Sequence, residues 1–528
     1  MSVPRETASR TVESEVPRSQ ISSRWVLTAT ILASSMAFID STVVNVALPA
    51  LQTSFHASVV DVQWVVESYG LFLGALILAG GSLGDVFGRR LIFIVGVAVF
   101  ALASVVCGFA PNIHVLNFAR SIQGVGAALL MPGSLAIIST SFDEQSRGKA
   151  IGTWSGFSAI TTAIGPVLGG WLVQHASWRW VFFINVPIAV AVIAISICRI
   201  AESRSTSAGR VDWPGAVLAT LALGGIVFGF IESTDLGWKS PFVFGSLAGA
   251  IGCLVVFAIL ERRTSSPMIP LELFRNRGFS GANVLTLCLY AALGIFFFLF
   301  PLNLIQVQGY SSTAAGAAIL PLILLMFLLS RWSGGLVARY GPRGPLILGP
   351  LIAAVGFVLM TVPSIGDGYW KSFFPAIILL GLGMAITVAP LTTEVMNSVD
   401  QDRVGTASGI NNAVARVAGV LAIAVFGIVM VYGFRARLVG TLATFSLPSG
   451  ILQELQAHET RLAALQVPTD LDPNTRAAIQ GAIRQAFVFG FRIVLSICAG
   501  LAAASAAIAW LMIPNASERR PDRKGVAT

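Results

Sequence analysis

Fourteen stretches of about 20 mostly apolar residues run through this chain and constrain its fold more than any other feature. They lie at roughly 25–47, 63–81, 91–110, 113–139, 149–172, 180–198, 214–232, 242–260, 280–304, 314–333, 345–363, 373–396, 405–432 and 486–513. A helix of this length and apolarity spans the hydrocarbon core of a bilayer. The sequence therefore predicts an all-α integral membrane protein with fourteen transmembrane helices. The first run is too long for a secretory signal peptide and lacks a small-residue cleavage site, so we expect it to remain as the first helix.

Composition excludes the other broad classes of protein. Of 528 residues, 55% are hydrophobic and 11% are charged, whereas about 25% of a soluble protein is charged. The 33 Phe exclude a disordered chain, because so much apolar surface must be removed from water. All eleven Trp lie close to the ends of predicted spans, where an amphipathic indole prefers the headgroup region. The five Cys fall inside spans and are expected to be packing residues, not disulfides or metal ligands.

Basic residues are distributed unequally between the two sides of the predicted membrane. With the N-terminus placed inside, the two tails and the even-numbered loops carry 23 of the 34 Lys and Arg, the odd-numbered loops carry 8, and the rest lie in spans. Because Lys and Arg favour cytoplasmic loops, both termini are predicted to be cytoplasmic. The net charge of +9 is then an imprint of topology and does not indicate a nucleic-acid partner.

The chain contains an internal repeat. The segment from Gly81 to Arg90 recurs 253 residues later, from Gly334 to Arg343, and a second match follows at an offset of 257. Two six-helix units that enter the membrane from the same side are parallel repeats, and a cleft between two such halves is typical of transporters. The predicted organisation is a cytoplasmic tail at 1–24, a bundle at 25–200, a linker with two extra spans at 201–278, a second bundle at 279–513 with a long extracytoplasmic loop at 433–485, and a cytoplasmic tail at 514–528.

Five motifs resemble those of the major facilitator superfamily, and the resemblance covers residues 24 to 513. They are Asp40-Ser-Thr42-x-x-Asn45, Gly81-x-Leu-x-Asp85-x-x-Gly88-Arg89-Arg90, Arg120-x-x-Gln123-Gly124-x-Gly126, Gly156 with Gly165-Pro166-x-x-Gly169-Gly170, and Trp178-x-Trp180-x-x-x-x-Asn185-x-Pro187. The first and last are similar to signatures of the fourteen-helix drug:proton antiporter branch, the EmrB/QacA type. The resemblance implies proton-coupled antiport that exports hydrophobic or amphiphilic drugs, with cations preferred, by alternating access.

The same resemblance implies a multi-pass protein of the plasma membrane that is driven by the proton gradient without a cofactor or metal. Its partners would be a small-molecule substrate, protons and the bilayer. Whether it also binds an adaptor protein of the cell envelope is left open. One alternative keeps the fold but changes the cargo to a lipid, a siderophore-like or an endogenous antibiotic metabolite, or to a polar solute carried by uniport. An intramembrane enzyme is less favoured, because it needs a nucleophile–base pair at membrane depth and no His lies in a span.

Charged residues inside the membrane are functional candidates, since each costs at least ~2.5–3.5 kcal/mol at the centre of a helix. They are Asp40, Glu67, Arg120, Glu394, Arg416 and Arg492. At about 1.5 Å per residue, Asp40, Glu67 and Arg120 lie roughly 12, 6 and 10 Å below the outer surface and can converge. We expect Asp40 to carry the proton and Arg120 to modulate it, with a static pair as the alternative. Glu67 either shares the proton or attracts a cation, or is an ordinary interfacial residue.

The other embedded charges have more modest expected roles. Glu394 is expected to be solvated or paired with a loop, Arg416 to form structural hydrogen bonds in preference to binding an anion, and Arg492 to extend outward. A largely apolar and aromatic cavity is predicted between the halves, and the site residues proposed for it are Phe38, Tyr69, Tyr290, Phe297 and Arg416. The neighbouring Phe296, Phe298 and Phe300 are further candidates for its wall.

Two motifs indicate moving parts. In the cytoplasmic loop, Asp85 can engage Arg89 or Arg90 and also the N-terminus of the helix near Gly405, as a latch between the halves; alternatively, Gly81 and Gly88 merely permit a tight turn. In the fifth span, the run that contains Gly156, Gly165, Pro166, Gly169 and Gly170 predicts a bend that gates or seals the halves, or only a packing kink. Within 433–485, residues 451–462 are predicted to form a short amphipathic helix, with a solvated connector as the default.

Overall fold

The computed structural model describes residues 18–142, 144–204, 211–264, 267, 269–399, 404–443, 459–465, 467 and 471–514. Within these ranges the structure is helical and has no β-strand. The first nine helices are α1 (Arg18–Phe55), α2 (Val59–Phe87), α3 (Arg89–Gly108), α4 (Ile113–Ser141), α5 (Glu144–His175), α6 (Trp180–Phe183), α7 (Asn185–Arg199), α8 (Trp213–Leu236) and α9 (Pro241–Arg263). The others are α10 (Arg277–Leu302), α11 (Ser312–Ala317), α12 (Leu320–Tyr340), α13 (Arg343–Leu359), α14 (Tyr369–Ser372), α15 (Phe374–Asn397), α16 (Val404–Leu442) and α17 (Pro473–Met512).

Every predicted span overlaps a helix. Among the described residues, 12 helices are long and apolar enough to cross a membrane, so the chain is a multi-pass membrane protein. The predicted spans 149–172 and 345–363 overlap α5 and α13, which are not among these 12, and α13 has only 17 residues. The predicted loop at 433–485 is partly helical, because α16 continues to Leu442 and α17 begins at Pro473. Most of the amphipathic helix predicted at 451–462 lies outside the described residues.

The long helices form two groups that meet along a central seam. In the first group α1 packs on α5 and α7, and α4 packs on α2 and α3; in the second, α15 packs on α12 and α13, while α10, α16 and α17 pack on one another. The two groups contact each other mainly through α2 against α16 and α5 against α11. The extra helices α8 and α9 pair together, and α8 also packs on α2 and α16.

Glycine pairs explain how the helices approach so closely, and they repeat between the halves. A Cβ on Gly96 of α3 would lie 2.9 Å from the carbonyl oxygen of Gly126 on α4. In the second half, a Cβ on Gly383 of α15 would lie 2.6 Å from the carbonyl oxygen of Gly349 on α13. Because lipid tails are as apolar as the side chains, membrane helices associate largely through such close backbone packing. The duplication seen in the sequence is thus also a duplication of helix contacts.

Side chains cap the helices that start in polar connections. At α2, Ser58 and Asp61 form a capping box, in which Asp61 Oδ2 accepts from the Ser58 backbone N–H at 2.8 Å. At α17, Asp472 Oδ1 accepts from the N–H groups of Asn474 and Thr475, each at 3.0 Å. The hydrogen bonds from Thr475 lower the pKa of the Asp472 carboxyl. These caps satisfy N–H groups that have no partner within the helix.

Candidate functional site

A cavity of about 1360 Å³ lies between the two halves and has a mostly apolar wall. Helices α1, α2, α4, α5, α10, α12, α15 and α16 contribute to it. Tyr69, Tyr290, Phe297 and Arg416 lie on this wall, as proposed from the sequence, whereas Phe38 does not line it. A large apolar cavity with a few polar groups is suited to binding a small organic molecule.

The halves are in contact at the end of the bundle that contains the α1–α2 connection, which is predicted to face outward. There Gln306 Nε2 donates to Gln52 Oε1, and Thr313 Oγ1 donates to Gln174 Oε1, each at 2.7 Å. This conformation is therefore closed at the end predicted to be extracytoplasmic.

Asp40 and Arg120, which were predicted to converge, form an ion pair inside the first half. Arg120 Nη1 lies 2.5 Å from Asp40 Oδ2, and both side chains are buried. The other carboxylate oxygen accepts from Gln123 Nε2 at 2.8 Å and from Asn185 Nδ2 at 3.2 Å. Arg120 Nε donates to the carbonyl oxygen of Val65 at 3.0 Å. A buried charge is tolerated when it is paired and hydrogen-bonded in this way.

Sequence reasoning assigned no role to Gln123 or Asn185, although both lie in motifs that it singled out. Both side chains also bond to Ser104 Oγ, at 2.9 and 3.3 Å. A signal for Gln123 was present, because it lies three residues after Arg120 and so on the same face of α4. Asn185 belongs to α7, and no spacing within the sequence shows that α7 docks beside Asp40.

Arg120 also connects the ion pair to the cavity. Its Cζ lies 4.4 Å from the centroid of the Tyr69 ring, within cation–π distance. Arg120 and Tyr69 both line the cavity. A molecule in the cavity that displaces Tyr69 would therefore remove the cation–π contact of Arg120, the cation of the buried pair.

Glu67 is enclosed more deeply than its place near the end of a span suggests. Its exposed fraction is 0%, and it lines the cavity. Neither carboxyl oxygen has a hydrogen-bond partner among the described residues. One turn earlier on α2, Gln63 Nε2 donates across the seam to the carbonyl oxygen of Ile423 at 3.3 Å. The interfacial alternative for Glu67 is therefore wrong, because its carboxyl group lies within the bundle.

Arg416 lies on the cavity wall, and its guanidinium forms no hydrogen bond or ion pair within the described residues. Its Cζ lies 5.8 Å from the centroid of the Phe38 ring. The structural hydrogen bonding expected of Arg416 belongs instead to Asn411 on the same helix. Asn411 Nδ2 donates to Thr286 Oγ1 at 2.8 Å and to Asn283 Oδ1 at 3.2 Å.

In the cytoplasmic loop motif, Asp85 and Arg89 form an ion pair with each other, within the first half of the molecule. Arg89 Nη2 lies 2.7 Å from Asp85 Oδ1, one helical turn away across the α2–α3 junction. A Cβ on Gly81 would lie 3.6 Å from Pro132 Cβ on α4, an ordinary contact. The expected latch contact of Asp85 near Gly405 adjoins residues 400–403, which lie outside the described residues. The latch therefore stays a prediction.

Gly88 is the one motif glycine that the backbone conformation requires. Its φ is +122°, and a Cβ would lie 2.8 Å from the Glu202 carboxyl carbon, whose oxygen Oε1 accepts from the Arg90 backbone N–H at 3.0 Å. We expect Gly88→Ala to lower the free energy of unfolding by about 1–3 kcal/mol through backbone strain. Thermal unfolding in detergent measures this, with Gly249→Ala as the control, since nothing lies within 4 Å of a Cβ there. Equal midpoints for the two variants would contradict the prediction.

The glycine motif of α5 provides close contacts on two sides. Towards α1, a Cβ on Gly165 would lie 3.2 Å from Thr42 Cβ, and one on Gly169 would lie 3.1 Å from Val43 Cα. Pro166 lies inside α5, where it removes one backbone hydrogen bond. Gly156 lies in the first half of the same helix. These contacts fit both a gating bend and a packing kink.

The second side of α5 faces the other half of the molecule. A Cβ on Gly170 would lie 2.6 Å from the carbonyl carbon of Ser312, at the start of α11. A Cβ on Gly316 of α11 would lie 2.5 Å from the carbonyl carbon of Pro166. Backbone meets backbone here, so these glycines allow α5 and α11 to approach closely at the closed end.

The aromatic run of α10 is divided between cavity and core. Phe297 lines the cavity, but Phe296, Phe298 and Phe300 are buried in the core. The Phe296 ring stacks 4.9 Å from that of Phe300 and meets Phe357 edge-on at 6.0 Å. The expectation that these three line the cavity is wrong, because successive residues of a helix point about 100° apart and only one face of α10 borders the cavity.

Two more of the charged residues inside the membrane, Glu394 and Arg492, form hydrogen bonds within the protein. Of the two roles expected for Glu394, the solvated one is wrong, because Glu394 is buried. Ser398 Oγ, just after the end of α15, donates to its Oε1 at 3.0 Å. Arg492 Nη2 donates to the carbonyl oxygens of Val362 at 3.2 Å and Pro363 at 3.1 Å. It therefore binds carbonyl groups just beyond the end of α13.

Comparison with known proteins agrees with this architecture. The family model described as Major Facilitator Superfamily matches residues 30–423. The chain is 36% identical over 425 residues to "Multidrug resistance protein Stp" of Mycobacterium tuberculosis, covering 78% of this chain and 76% of that protein. It is 32% identical over 481 residues to the "Tetracenomycin C resistance and export protein" of Streptomyces glaucescens (90% and 88%), and 33% identical over 501 residues to the "Puromycin resistance protein pur8" of Streptomyces alboniger (94% and 92%).

Solved structures agree at the level of the fold. A bacterial homologue of the human lysosomal transporter Spinster, in an inward-facing and unoccupied conformation, superposes with a TM-score of 0.62 at 17% identity, covering 92% of this chain and 97% of that one. The xylose transporter XylE from E. coli, in an inward-open conformation, gives 0.56 at 13% identity, with 94% and 97% covered. The duplicated bundle, the central cavity and the family match lead to one conclusion: the chain is a multi-pass membrane protein that belongs to the Major Facilitator Superfamily.

Proposed function

We propose that this protein exports hydrophobic or amphiphilic drugs across the plasma membrane by proton-coupled antiport. The names of its relatives, which include multidrug and antibiotic resistance proteins, support drug export. The proposal includes fourteen transmembrane helices with cytoplasmic termini, a proton gradient as the energy source and no cofactor. Alternating access would exchange the present conformation for one closed at the opposite end.

The observation that carries the coupling proposal is the buried Asp40–Arg120 pair, whose cation also lines the central cavity. A carboxyl group has different proton affinities when a cation is near it and when the cation has moved away. If alternating access separates Asp40 from Arg120, protonation and conformation are linked, which is the thermodynamic requirement for coupling. Glu67 is a second embedded carboxyl, and it lies on the cavity wall.

Export of an endogenous antibiotic is the second candidate for the cargo. Two of the relatives from Streptomyces are named for resistance to tetracenomycin C and to puromycin. The apolar cavity of about 1360 Å³ is large enough for an antibiotic of drug size. That the preferred drugs are cationic stays a prediction; its basis in this structure is Glu67, because the charge of Asp40 is matched by Arg120.

Uptake of ethidium into inverted membrane vesicles tests the proposed function. An acidic vesicle interior should drive uptake, and a protonophore should abolish it. Glu67→Gln is expected to fold normally, since no hydrogen bond to Glu67 is lost, but to reduce gradient-driven uptake at least tenfold, about 1.4 kcal/mol. Glu232→Gln is the matched control, because Glu232 accepts from Trp64 Nε1 at 2.8 Å outside the cavity wall.

These uptake measurements decide two parts of the proposal, proton coupling and the role of Glu67. Uptake that is indifferent to the pH gradient in the wild type, across ethidium and neutral dyes, would overturn proton-coupled antiport. Gradient-driven uptake that survives unchanged in Glu67→Gln would remove Glu67 from the coupling mechanism and leave Asp40 as its carboxylate.

A further inference from the structure

Arg416 is a cation that lines the cavity and has no hydrogen-bond or ion-pair partner among the described residues. It lies on α16, opposite α2, where a Cβ on Gly74 would lie 3.5 Å from Arg416 Cβ. Within the described residues its guanidinium makes only an aromatic contact, with the Phe38 ring at 5.8 Å. A charged group at membrane depth that is not paired is costly and marks a functional position.

The other charged groups around the cavity do not neutralise Arg416. Arg120 on α4 is matched by Asp40 on α1 at 2.5 Å, and that carboxylate is further engaged by Gln123. Glu67 precedes Gly74 by seven residues on α2, which separates it from Arg416 by roughly 10 Å along the helix axis. Tyr69 on α2 and Tyr290 on α10 are the remaining titratable groups on the wall. Among the described residues, no carboxylate on the cavity wall forms an ion pair with Arg416.

Aromatic and apolar side chains share the cavity wall with this cation. Tyr69, Tyr290 and Phe297 line the same cavity, with Met326 and Met384 on the wall contributed by α12 and α15. A guanidinium has five donor groups in a planar fork that matches a carboxylate, and rings nearby provide surface for an apolar body. This combination is complementary to an aromatic molecule that carries an acidic group.

We propose that Arg416 recognises a carboxylate on the exported molecule, while the aromatic and methionine side chains hold its ring system. The inference rests on the proposed function, and it defines a substrate class that the predicted preference for cations does not include. The recognition is a contact between the guanidinium and the carboxylate in the cavity. No covalent step is involved.

Equilibrium binding to the purified full-length protein tests the inference without a proton gradient. Pyrenebutyrate, pyrenebutanamide and pyrenebutylamine share one ring system and chain and differ in charge, and pyrene fluorescence anisotropy measures their Kd. The wild type should bind the acid roughly 10- to 100-fold more tightly than the neutral amide, as expected for a hydrogen-bonded charge. Arg416→Gln should abolish this preference while still binding the amide, which also shows that the variant is folded.

Two variants complete the design. Arg416→Lys keeps the charge and should keep most of the preference for the acid. Arg437→Gln is the matched control on the same helix, because Arg437 likewise lies over a ring, 5.9 Å from that of Phe489, but does not line the cavity. The inference is overturned if the wild type binds the acid no better than the amide, or if the preference for the acid over the amide survives in Arg416→Gln. Failure of antiport itself would show separately, as uptake of all three probes that ignores the pH gradient.

Discussion

The double exchange Asp40→Asn with Arg120→Gln is expected to give a stable protein that no longer exports drugs against a gradient. Each single exchange leaves one charge buried without its partner, which costs about 3–5 kcal/mol. The double exchange removes both charges, and the new amides can bond with Gln123 and Asn185, which already contact Asp40. We therefore expect both single variants to unfold at lower temperature than the double variant.

Thermal unfolding in detergent and vesicle uptake measure the two halves of this prediction. Uptake driven by an acidic interior should fall to background in the double variant, because neither remaining side chain titrates in the working pH range. The exchange Asp85→Asn with Arg89→Gln is the control for stability, since that pair is partly exposed and is worth only about 0.3–0.5 kcal/mol. If the buried pair is merely a static scaffold, the double variant will export uphill at the wild-type rate, which would refute coupling through Asp40.

A single methyl group at Gly316 is expected to open the closed end of the molecule. A Cβ there would lie 2.5 Å from the carbonyl carbon of Pro166. Because the obstructing atoms are backbone, they cannot rotate away, and α5 and α11 must separate. Overpacking of this kind costs about 1–3 kcal/mol, which shifts the ratio of two conformations about 5- to 150-fold. Gly316→Ala should accordingly slow drug export and depopulate the conformation seen here.

Cross-linking across the halves measures this shift. Cysteines introduced at Gln52 and Gln306, whose side chains bond at 2.7 Å, should be joined efficiently by a short bifunctional reagent once the five native Cys have been replaced. The yield should fall in Gly316→Ala and stay high in Gly252→Ala, where nothing lies within 4 Å of a Cβ. An undiminished yield in Gly316→Ala would mean that the contact between α5 and α11 does not hold the halves together.

Much of the fold was predictable because it depends on local properties of the chain. Every apolar run overlaps a helix, and the glycines that repeat in the sequence lie at equivalent helix contacts in both halves, as Gly126 and Gly383 show. The convergence of Asp40 with Arg120 was also predictable, since their depths in the membrane follow from counting residues along two helices. Helix ends were less predictable. Helices α16 and α17 extend into the predicted loop at 433–485, because a helix continues where other helices pack on it.

The candidate site was predictable only in part, because a side chain's surroundings depend on how its helix is rotated. Phe297 lines the cavity while Phe296, on the next position, is in the core. Glu67 is buried and has no hydrogen bond among the described residues, and Asn411 makes the hydrogen bonds expected of Arg416. Nothing in the spacing of charges along the sequence distinguishes these outcomes.

The sequence by itself determined that this is a membrane protein, where its helices run, that it is built from a duplicated unit, and which charged residues lie at membrane depth. These properties follow from the length of apolar runs and from the high cost of placing a charge in hydrocarbon. Only the tertiary structure decided that Asp40 is neutralised by Arg120 whereas Glu67 and Arg416 face the cavity. The physical reason is that pairing and exposure are set by contacts between helices far apart in the chain, which fix the rotation of each helix about its own axis.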